Sequence, residues 1–369
     1  MIHCTKVGAK YFSLSLVCNE LFLLSSMDRH AIFITGATGF LGAHVCCLLL
    51  KQGCRVTALS RHEGPFTLFD SIHSFYQLPA AYQPNWVVGD LLDMESLLDH
   101  VIGVECVFHC AGKISFAKKD VFNLIRINVL GSRNIVNACL FNGVKKIVHV
   151  SSIASLGGVH NGGVITEDSD WDDGKFNSNY AKSKYLSEQE MWRGKVEGLD
   201  VGIVNPGIIL GLGDGKTGSN QLYTIIHKQF PFYAMGGSGF VGVEDVAKHM
   251  LLVYEKGLWG KRHICVSENL SYKQLFEQLA ETMGKKPPHI ALKGPLLSVL
   301  FRLSQLCELL HIPFPIPSEN ILGSSATAVY KTINENSLHE FHYTPIRSVN
   351  YYALLALGLL NKETSMQHN

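Results

Sequence analysis

Phe33-Ile34-Thr35-Gly36-Ala37-Thr38-Gly39-Phe40-Leu41-Gly42 decides the fold. The apolar run Ala31 to Ile34 reads as a buried strand, Thr35-Gly36 ends it, and an apolar helical segment starts near Phe40. Gly36 allows a tight turn, Gly39 lets a pyrophosphate approach the backbone, and Gly42 lets the helix close on the strand. The helix N-terminus then presents free N–H groups and a positive dipole end to phosphates. Glycine spacing alone is weak evidence; the strand before it and the helix after it are the context that a dinucleotide-binding turn requires.

Outward from this turn, strands and helices alternate. Strands are expected at Arg55–Leu59, Trp86–Val88, Cys106–His109, Lys146–Val150 and Val201–Val204, and helices at Phe40–Gln52, Met94–Val101, Val121–Asn142 and Tyr180–Arg193. The alternation predicts an α/β fold, a doubly wound parallel sheet with helices on both faces. Ile147-Val148-His149-Val150 is nearly all apolar, as a strand covered on both faces should be. Beyond Gly211 the pattern loosens. Residues 213–218 read as a loop, Gln221–Gln229 and Ser271–Met283 as helices, and Phe240–Glu255 with Arg262–Val266 as a return to the main sheet. The expected division is a nucleotide-binding domain at 27–211, rejoined by 238–267, and a smaller, mostly helical substrate lobe at 212–237 and 268–369. Pro295–His311 has a broad apolar face; it is read as a core helix of that lobe, with a lid over an apolar substrate or a membrane-touching surface as the alternative.

Bulk properties exclude several classes. The chain has 369 residues, 47% of them hydrophobic, and a net charge of +1, so it carries no electrostatic footprint for nucleic acid. No stretch reaches the ~18 apolar residues of a membrane-spanning helix. The ten cysteines form no CxxC pair or zinc-ligand spacing, so no metal is expected, and reduced thiols in a cytoplasmic protein are the simplest reading. Residues 1–26 are expected to be an upstream extension or a disordered tail before Met27, with an export signal as the alternative.

The chemistry lies in Tyr180-Ala181-Lys182-Ser183-Lys184. Tyr180 and Lys184 share one helix face. A nearby ammonium favours the phenolate, so Tyr180 could exchange a proton near neutral pH. Ser151-Ser152 follows the strand Ile147–Val150, at the sheet edge where ligands bind, and a hydroxyl there could hold a substrate carbonyl. Asn128 interrupts a long helix, where either a polar role or a solvated face would account for it.

Together these residues resemble the extended short-chain dehydrogenase/reductases, within the NAD-dependent epimerase/dehydratase superfamily. The likeness spans Met27 to about Leu360. It includes the glycine turn, Gly89-Asp90-Leu91, His109-Cys110-Ala111-Gly112, Asn128, Ser152, Tyr180 with Lys184, Asn205-Pro206-Gly207 and Val243-Glu244-Asp245-Val246. The resemblance implies that Tyr180 is the general acid/base, that Lys184 holds the nicotinamide ribose and lowers the Tyr180 pKa, and that Ser152 orients the carbonyl. Asn128 would hold a relay water. Gly36, Thr38, Gly39, Phe40, Leu41 and Gly42 would cradle the cofactor, Asp90 and Leu91 would contact the adenine, Ala111 and Gly112 would line the site, and Pro206 would sit beside the nicotinamide. Ser152 is preferred over Ser151 for its place before Ala154-Ser155-Leu156-Gly157. Gly112 departs from the usual alanine, a tolerable change.

The second strand ends in Ser60-Arg61 rather than in a carboxylate for the ribose hydroxyls, so NADP is expected, with Arg61 on its 2′-phosphate, and NAD is the alternative. Ser151–Gly157, Asn205–Gly211 and the apolar 295–311 segment are most similar to the dihydroflavonol reductase and 3β-hydroxysteroid dehydrogenase branch. The expected activity is therefore hydride transfer between a hydroxyl and a carbonyl on a small lipophilic substrate. Competing readings are a nucleotide-sugar epimerase or dehydratase with tightly bound NAD, disfavoured by the lack of a clustered arginine set, and a non-catalytic cofactor sensor, disfavoured by the intact Tyr180 and Lys184. The resemblance also implies a homodimer through the helices at 121–142 and 180–193.

Overall fold

The computed structural model describes residues 30–157, 163–172, 177–214, 218–309, 327–333 and 341–349; the expectation for residues 1–26 lies outside them. The strands are β1 (Ala31–Thr35), β2 (Arg55–Ser60), β3 (Asn85–Val88), β4 (Cys106–His109), β5 (Lys146–Val150), β6 (Val164–Ile165), β7 (Asp200–Pro206), β8 (Ile208–Leu210), β9 (Phe232–Ala234), β10 (Gly237–Gly242), β11 (Arg262–Cys265), β12 (Glu268–Ser271), β13 (Ile290–Leu292) and β14 (Val329–Tyr330). The α-helices are α1 (Phe40–Lys51), α2 (Thr67–Phe75), α3 (Met94–His100), α4 (Val121–Leu124), α5 (Gly131–Asn142), α6 (Asn179–Val196), α7 (Gln221–His227), α8 (Val243–Glu255), α9 (Tyr272–Met283) and α10 (Gly294–Leu309).

Seven strands form one parallel sheet in the order β3-β2-β1-β4-β5-β7-β11. The chain winds outward both ways from β1, so β1 and β4 flank the switch point, where a doubly wound sheet opens a crevice beyond its strand ends. Alternation along each strand feeds two cores. Ile32 and Ile34 join Phe108, Val148 and Val204 under α1 and α8, while Phe33 joins Val107, Ile147 and Ile203 under α5 and α6. Both faces are covered, which accounts for the nearly continuous apolar strands.

Two expectations are corrected. The return of 238–267 to the main sheet divides: β11 is its edge strand and α8 packs on its face, but β10 pairs with β8 and β12 in a separate three-stranded sheet. Gly207 accounts for this, because it lies against the Gly239 backbone with no room for a Cβ, and β8 leaves the main sheet to meet β10. The expected helix at 121–142 is α4 and α5 joined by a wide π turn, Ile125–Leu130, which contains Asn128.

The second lobe has its own core of Tyr223, Ile226, Phe240, Leu275, Phe276, Leu279 and Ile346. The core-helix reading of Pro295–His311 does not fit α10: Leu296, Val299, Leu303 and Leu306 are all exposed, and Ser304 is buried.

Candidate active site

The glycine turn lies at the switch point. Gly36 has φ +76°, a left-handed conformation that glycine adopts freely, and a Cβ there would sit 2.7 Å from the Ala111 nitrogen. A Cβ on Gly42 would overlap the Gly36 carbonyl, so α1 reaches β1 only because Gly42 has none. Gly39 is the N-cap of α1 and offers no side-chain cap, which leaves the first-turn N–H groups open to an anion. Gly39 is exposed, Thr38 and Phe40 are half-buried, and Leu41 is buried with Gly42 in the packing. Across the crevice Ala111 and Gly112 follow β4; a Cβ on Gly112 would stand 3.3 Å from Asn128 Oδ1 and 3.6 Å from Lys184 Nζ. An uncapped helix end facing bare backbone fits a dinucleotide diphosphate.

Beside it, at the ends of β2 and β3, a cavity of about 420 Å³ is lined by Ser60, His62, Glu63, Phe66, Asp70 and Trp86 among others. Arg61 is exposed on the turn after β2. Glu63 qualifies the reading of this strand end as free of carboxylates, because the turn after Ser60 brings it to the cavity wall. Asp90 is exposed, and its Oδ1 accepts the Leu92 N–H at 2.8 Å. The Leu91 side chain is buried against Gly131, and its carbonyl accepts from Asn134 Nδ2 at 2.8 Å.

α6 starts at Ser178, whose hydroxyl accepts the Ala181 N–H at 3.1 Å, and it carries Tyr180 and Lys184 one turn apart. Ser152 hydrogen-bonds the Tyr180 phenol and also accepts the Ala154 N–H at 3.2 Å. Ser151 turns inward, donating to Ser155 Oγ at 3.2 Å. Lys184 is buried, and its ammonium donates to the Val150 carbonyl at 2.9 Å. Burial pulls its pKa down to about 8 against the opposing pull of Glu188. Burial also pushes the Tyr180 phenol up to about 12 despite the Ser152 bond. The expected lowering by Lys184 is therefore corrected for this state: the ammonium is held on Val150, and desolvation of the phenolate dominates. The Phe116 ring stands edge-on to Tyr180, with centroids 5.5 Å apart.

Asn128 is buried, not on a solvated face. Its Oδ1 accepts the Lys113 N–H at 2.7 Å, and its Nδ2 donates to the Lys113 carbonyl at 3.0 Å and to Ser183 Oγ at 2.9 Å. This grip holds the loop that carries Gly112 and Phe116 against α6. Pro206 ends β7, buried at the same sheet edge.

Sequence reasoning missed a set of residues beneath this site. Thr35 Oγ1 lies 2.8 Å from His109 Nδ1, and His109 Nε2 lies 3.0 Å from Ser132 Oγ, which is 2.7 Å from Ser187 Oγ on α6. Asn205, Ser155 and Glu188 form a second buried group. Glu188 had a legible signal, a carboxylate one helical turn beyond Lys184.

Residues 32–265 match the model of the NAD dependent epimerase/dehydratase family. The chain belongs to this family. It is similar to "Sterol demethylase protein B" of Methylococcus capsulatus, 30% identical over 291 residues, 78% of this chain and 85% of the relative. It is 34% identical over 262 residues to "Putative dihydroflavonol 4-reductase" of Synechocystis, covering 69% and 73% of the two chains. The crystal structure of gox2253 superposes with a TM-score of 0.74 at 28% identity, covering 89% of this chain and 98% of that one. MoeE5, solved with UDP-glucose and NAD, shares the fold with a TM-score of 0.68 at 20% identity over 89% and 98% of the chains. The family member described here is thus an extended short-chain dehydrogenase/reductase of the dihydroflavonol reductase and 3β-hydroxysteroid dehydrogenase branch, a nucleotide-dependent enzyme. Among the described residues no helix is long and apolar enough to cross a membrane.

Proposed function

We propose that this enzyme interconverts a hydroxyl and a carbonyl on a small, lipophilic, ring-bearing substrate, with NADP as the preferred hydride carrier and Tyr180 as general acid/base. The observation that carries the reading is the Tyr180 phenol, bonded to Ser152, with Lys184 one turn away and the uncapped α1 turn across the crevice. The cofactor, when bound, supplies or accepts the hydride. In reduction, Ser152 holds the substrate oxygen and Tyr180 delivers the proton; in oxidation, Tyr180 takes it back. Lys184 binds the ribose hydroxyls and stabilises the phenolate once released from the Val150 carbonyl. Asn128 clamps the Gly112–Phe116 loop, since its amide is already engaged on Lys113 and Ser183. Gly36 and Gly39 seat the diphosphate, Gly42 lets α1 close on β1 beneath it, and Arg61 pairs with the 2′-phosphate. The relatives' names support the substrate class, since a dihydroflavonol 4-reductase and the cinnamoyl-CoA reductase of Petunia hybrida, 26% identical over 275 residues, are both named as reductases of ring-bearing compounds.

The test is NADPH consumption with a panel of ring-bearing ketones and aldehydes. Tyr180→Phe should cut turnover by about 10²–10⁴-fold while NADPH binding survives; unchanged turnover would overturn the mechanism. The epimerase/dehydratase alternative keeps one observation in its favour, the Glu63 carboxylate in the β2–β3 cavity, which suits ribose hydroxyls and NAD. Titrating NADPH and NADH against Arg61→Ala and Glu63→Gln separates the two, and NAD retained through purification would favour the alternative. A cytoplasmic homodimer completes the reading. Phe141 on α5 and Val196 on α6 are 78% and 88% exposed, so sedimentation should detect pairing through these helices.

A further inference from the structure

Glu188 is completely buried on α6, one turn beyond Lys184 and two beyond Tyr180. Its Oε1 accepts from Ser155 Oγ at 2.5 Å and from Asn205 Nδ2 at 2.7 Å, and its Oε2 accepts from Arg262 Nε at 2.8 Å. Asn205 Nδ2 also lies 3.2 Å from the Ser152 carbonyl and 3.0 Å from Ser155 Oγ, and Ser155 Oγ lies 2.7 Å from the Ser152 carbonyl. One carboxylate therefore joins the helix of Tyr180 and Lys184, the backbone of Ser152, strand β7 through Asn205 and edge strand β11 through Arg262. A buried ion pair is a poor device for stability alone, because desolvation offsets its attraction, and apolar replacements are often neutral or better. Its place under a reaction centre points to another role.

We propose that Glu188 is a positioning residue: it fixes the Ser152 backbone relative to Tyr180 and supplies the negative charge that keeps Lys184 an ammonium. The groups facing Lys184 are Tyr180 and Glu188 on its own helix, His109 and Cys110 at the end of β4, and His149 on β5, with Arg262 of β11 behind Glu188. Burial holds both histidines well below their ordinary range and so neutral at working pH. It keeps the Cys110 thiol protonated by pushing it up to about 12. That leaves Glu188 as the anion in this set. Lys184 already sits down at about 8, so losing Glu188 would carry it further down, and a neutral amine no longer stabilises the Tyr180 phenolate.

The inference rests on Tyr180 as acid/base, and the experiment separates the two claims without a substrate. Tyrosinate absorbance is titrated in NADP⁺-saturated protein, wild type minus Tyr180→Phe, to isolate the Tyr180 midpoint. Glu188→Gln keeps the shape and removes the charge; it should raise that midpoint by about one pH unit. Glu188→Gln with Arg262→Met also removes the cation that faced the carboxylate, so the double variant should recover part of the thermal midpoint yet keep the raised Tyr180 titration, and it is the variant to read if the single one does not fold. Recovery of both in the double variant, or no shift in either, would make Glu188 a structural pair only and overturn the proposal. A wild-type protein with no Tyr180 signal would sink the acid/base reading and this inference with it, whereas a wild-type signal unmoved by Glu188→Gln sinks this inference alone.

Discussion

The two halves of this enzyme are built to different tolerances. In the sheet half, backbone meets backbone: Gly36 against Ala111, Gly42 against Gly36, and strands whose two faces fill two cores. The second lobe has a smaller core around Tyr223, Phe240 and Leu279, and its α10 turns Leu296, Val299, Leu303 and Leu306 to solvent. The difference follows from what each half is proposed to handle. A dinucleotide presents invariant phosphates and riboses, so its cradle can be rigid and glycine-lined. A lobe that sets specificity, as proposed for the second, can vary around a small core without disturbing the cofactor.

The largest effect should come from breaking the tight half. Gly42→Ala forces a methyl into the Gly36 carbonyl and separates α1 from β1; we expect a loss of about 3 kcal/mol or more, with NADPH binding lost in any folded remnant. Urea unfolding and a fluorescence titration check both, and a variant within about 1 kcal/mol of wild type would mean the contact relaxes. Leu279→Ala opens a cavity in the lobe core and should cost about 2–4 kcal/mol, yet leave NADPH affinity intact where the protein is folded while turnover falls. Equal damage to cofactor binding would show that the halves do not behave separately.

The same contrast explains what could be read beforehand. The glycine turn, the apolar strands and the Tyr180/Lys184 pair were legible because each is local: a strained backbone, a period of two, a single helix turn. The short strands β8, β9 and β13 carry no such period and owe their form to tertiary neighbours, whereas α2 does carry one, burying Phe69, Ile72 and His73 at helical spacing, and was passed over. Asn128 was ambiguous because helix geometry alone does not say which face is buried; the π turn that aims it at Lys113 is invisible in composition. The upward push on the Tyr180 phenol in this state was not legible, because a sequence shows the nearby ammonium but not the desolvation, nor the Val150 carbonyl that holds Lys184 aside. Glu63 escaped because a turn after β2, rather than the strand itself, carries it to the cavity.

A pH change probes the buried histidines that stitch the halves internally. Burial lowers His44 to about 4, and His109 and His249 to about 3, from 6.5. The folded pKa is the depressed one, so the unfolded chain takes up protons first: the stability is complete above pH 6.5 and is lost as pH falls toward 3–4. Between pH 6.5 and 5 each histidine should cost about 2 kcal/mol. Urea midpoints at pH 7 and pH 5 read the sum, and His109→Gln, which can still bridge Thr35 and Ser132, should flatten the slope. A wild-type midpoint that does not move over this range would mean these rings are hydrated in solution.

The smallest effect should come from the loose edge. Leu303→Ser on α10 removes an apolar side chain that is already 44% exposed, with Val299 and Leu306 exposed one turn to either side. Little area leaves water at this position on folding, so the transfer term is small, and serine costs only a fraction of a kcal/mol in helix propensity. The expected change is within about 0.5 kcal/mol, with NADPH affinity unaltered. A calorimetric scan decides it. A drop of several degrees would mean that the stripe is covered in solution, and the contrast between a tightly closed sheet half and an open lobe would have to be redrawn around whatever covers it.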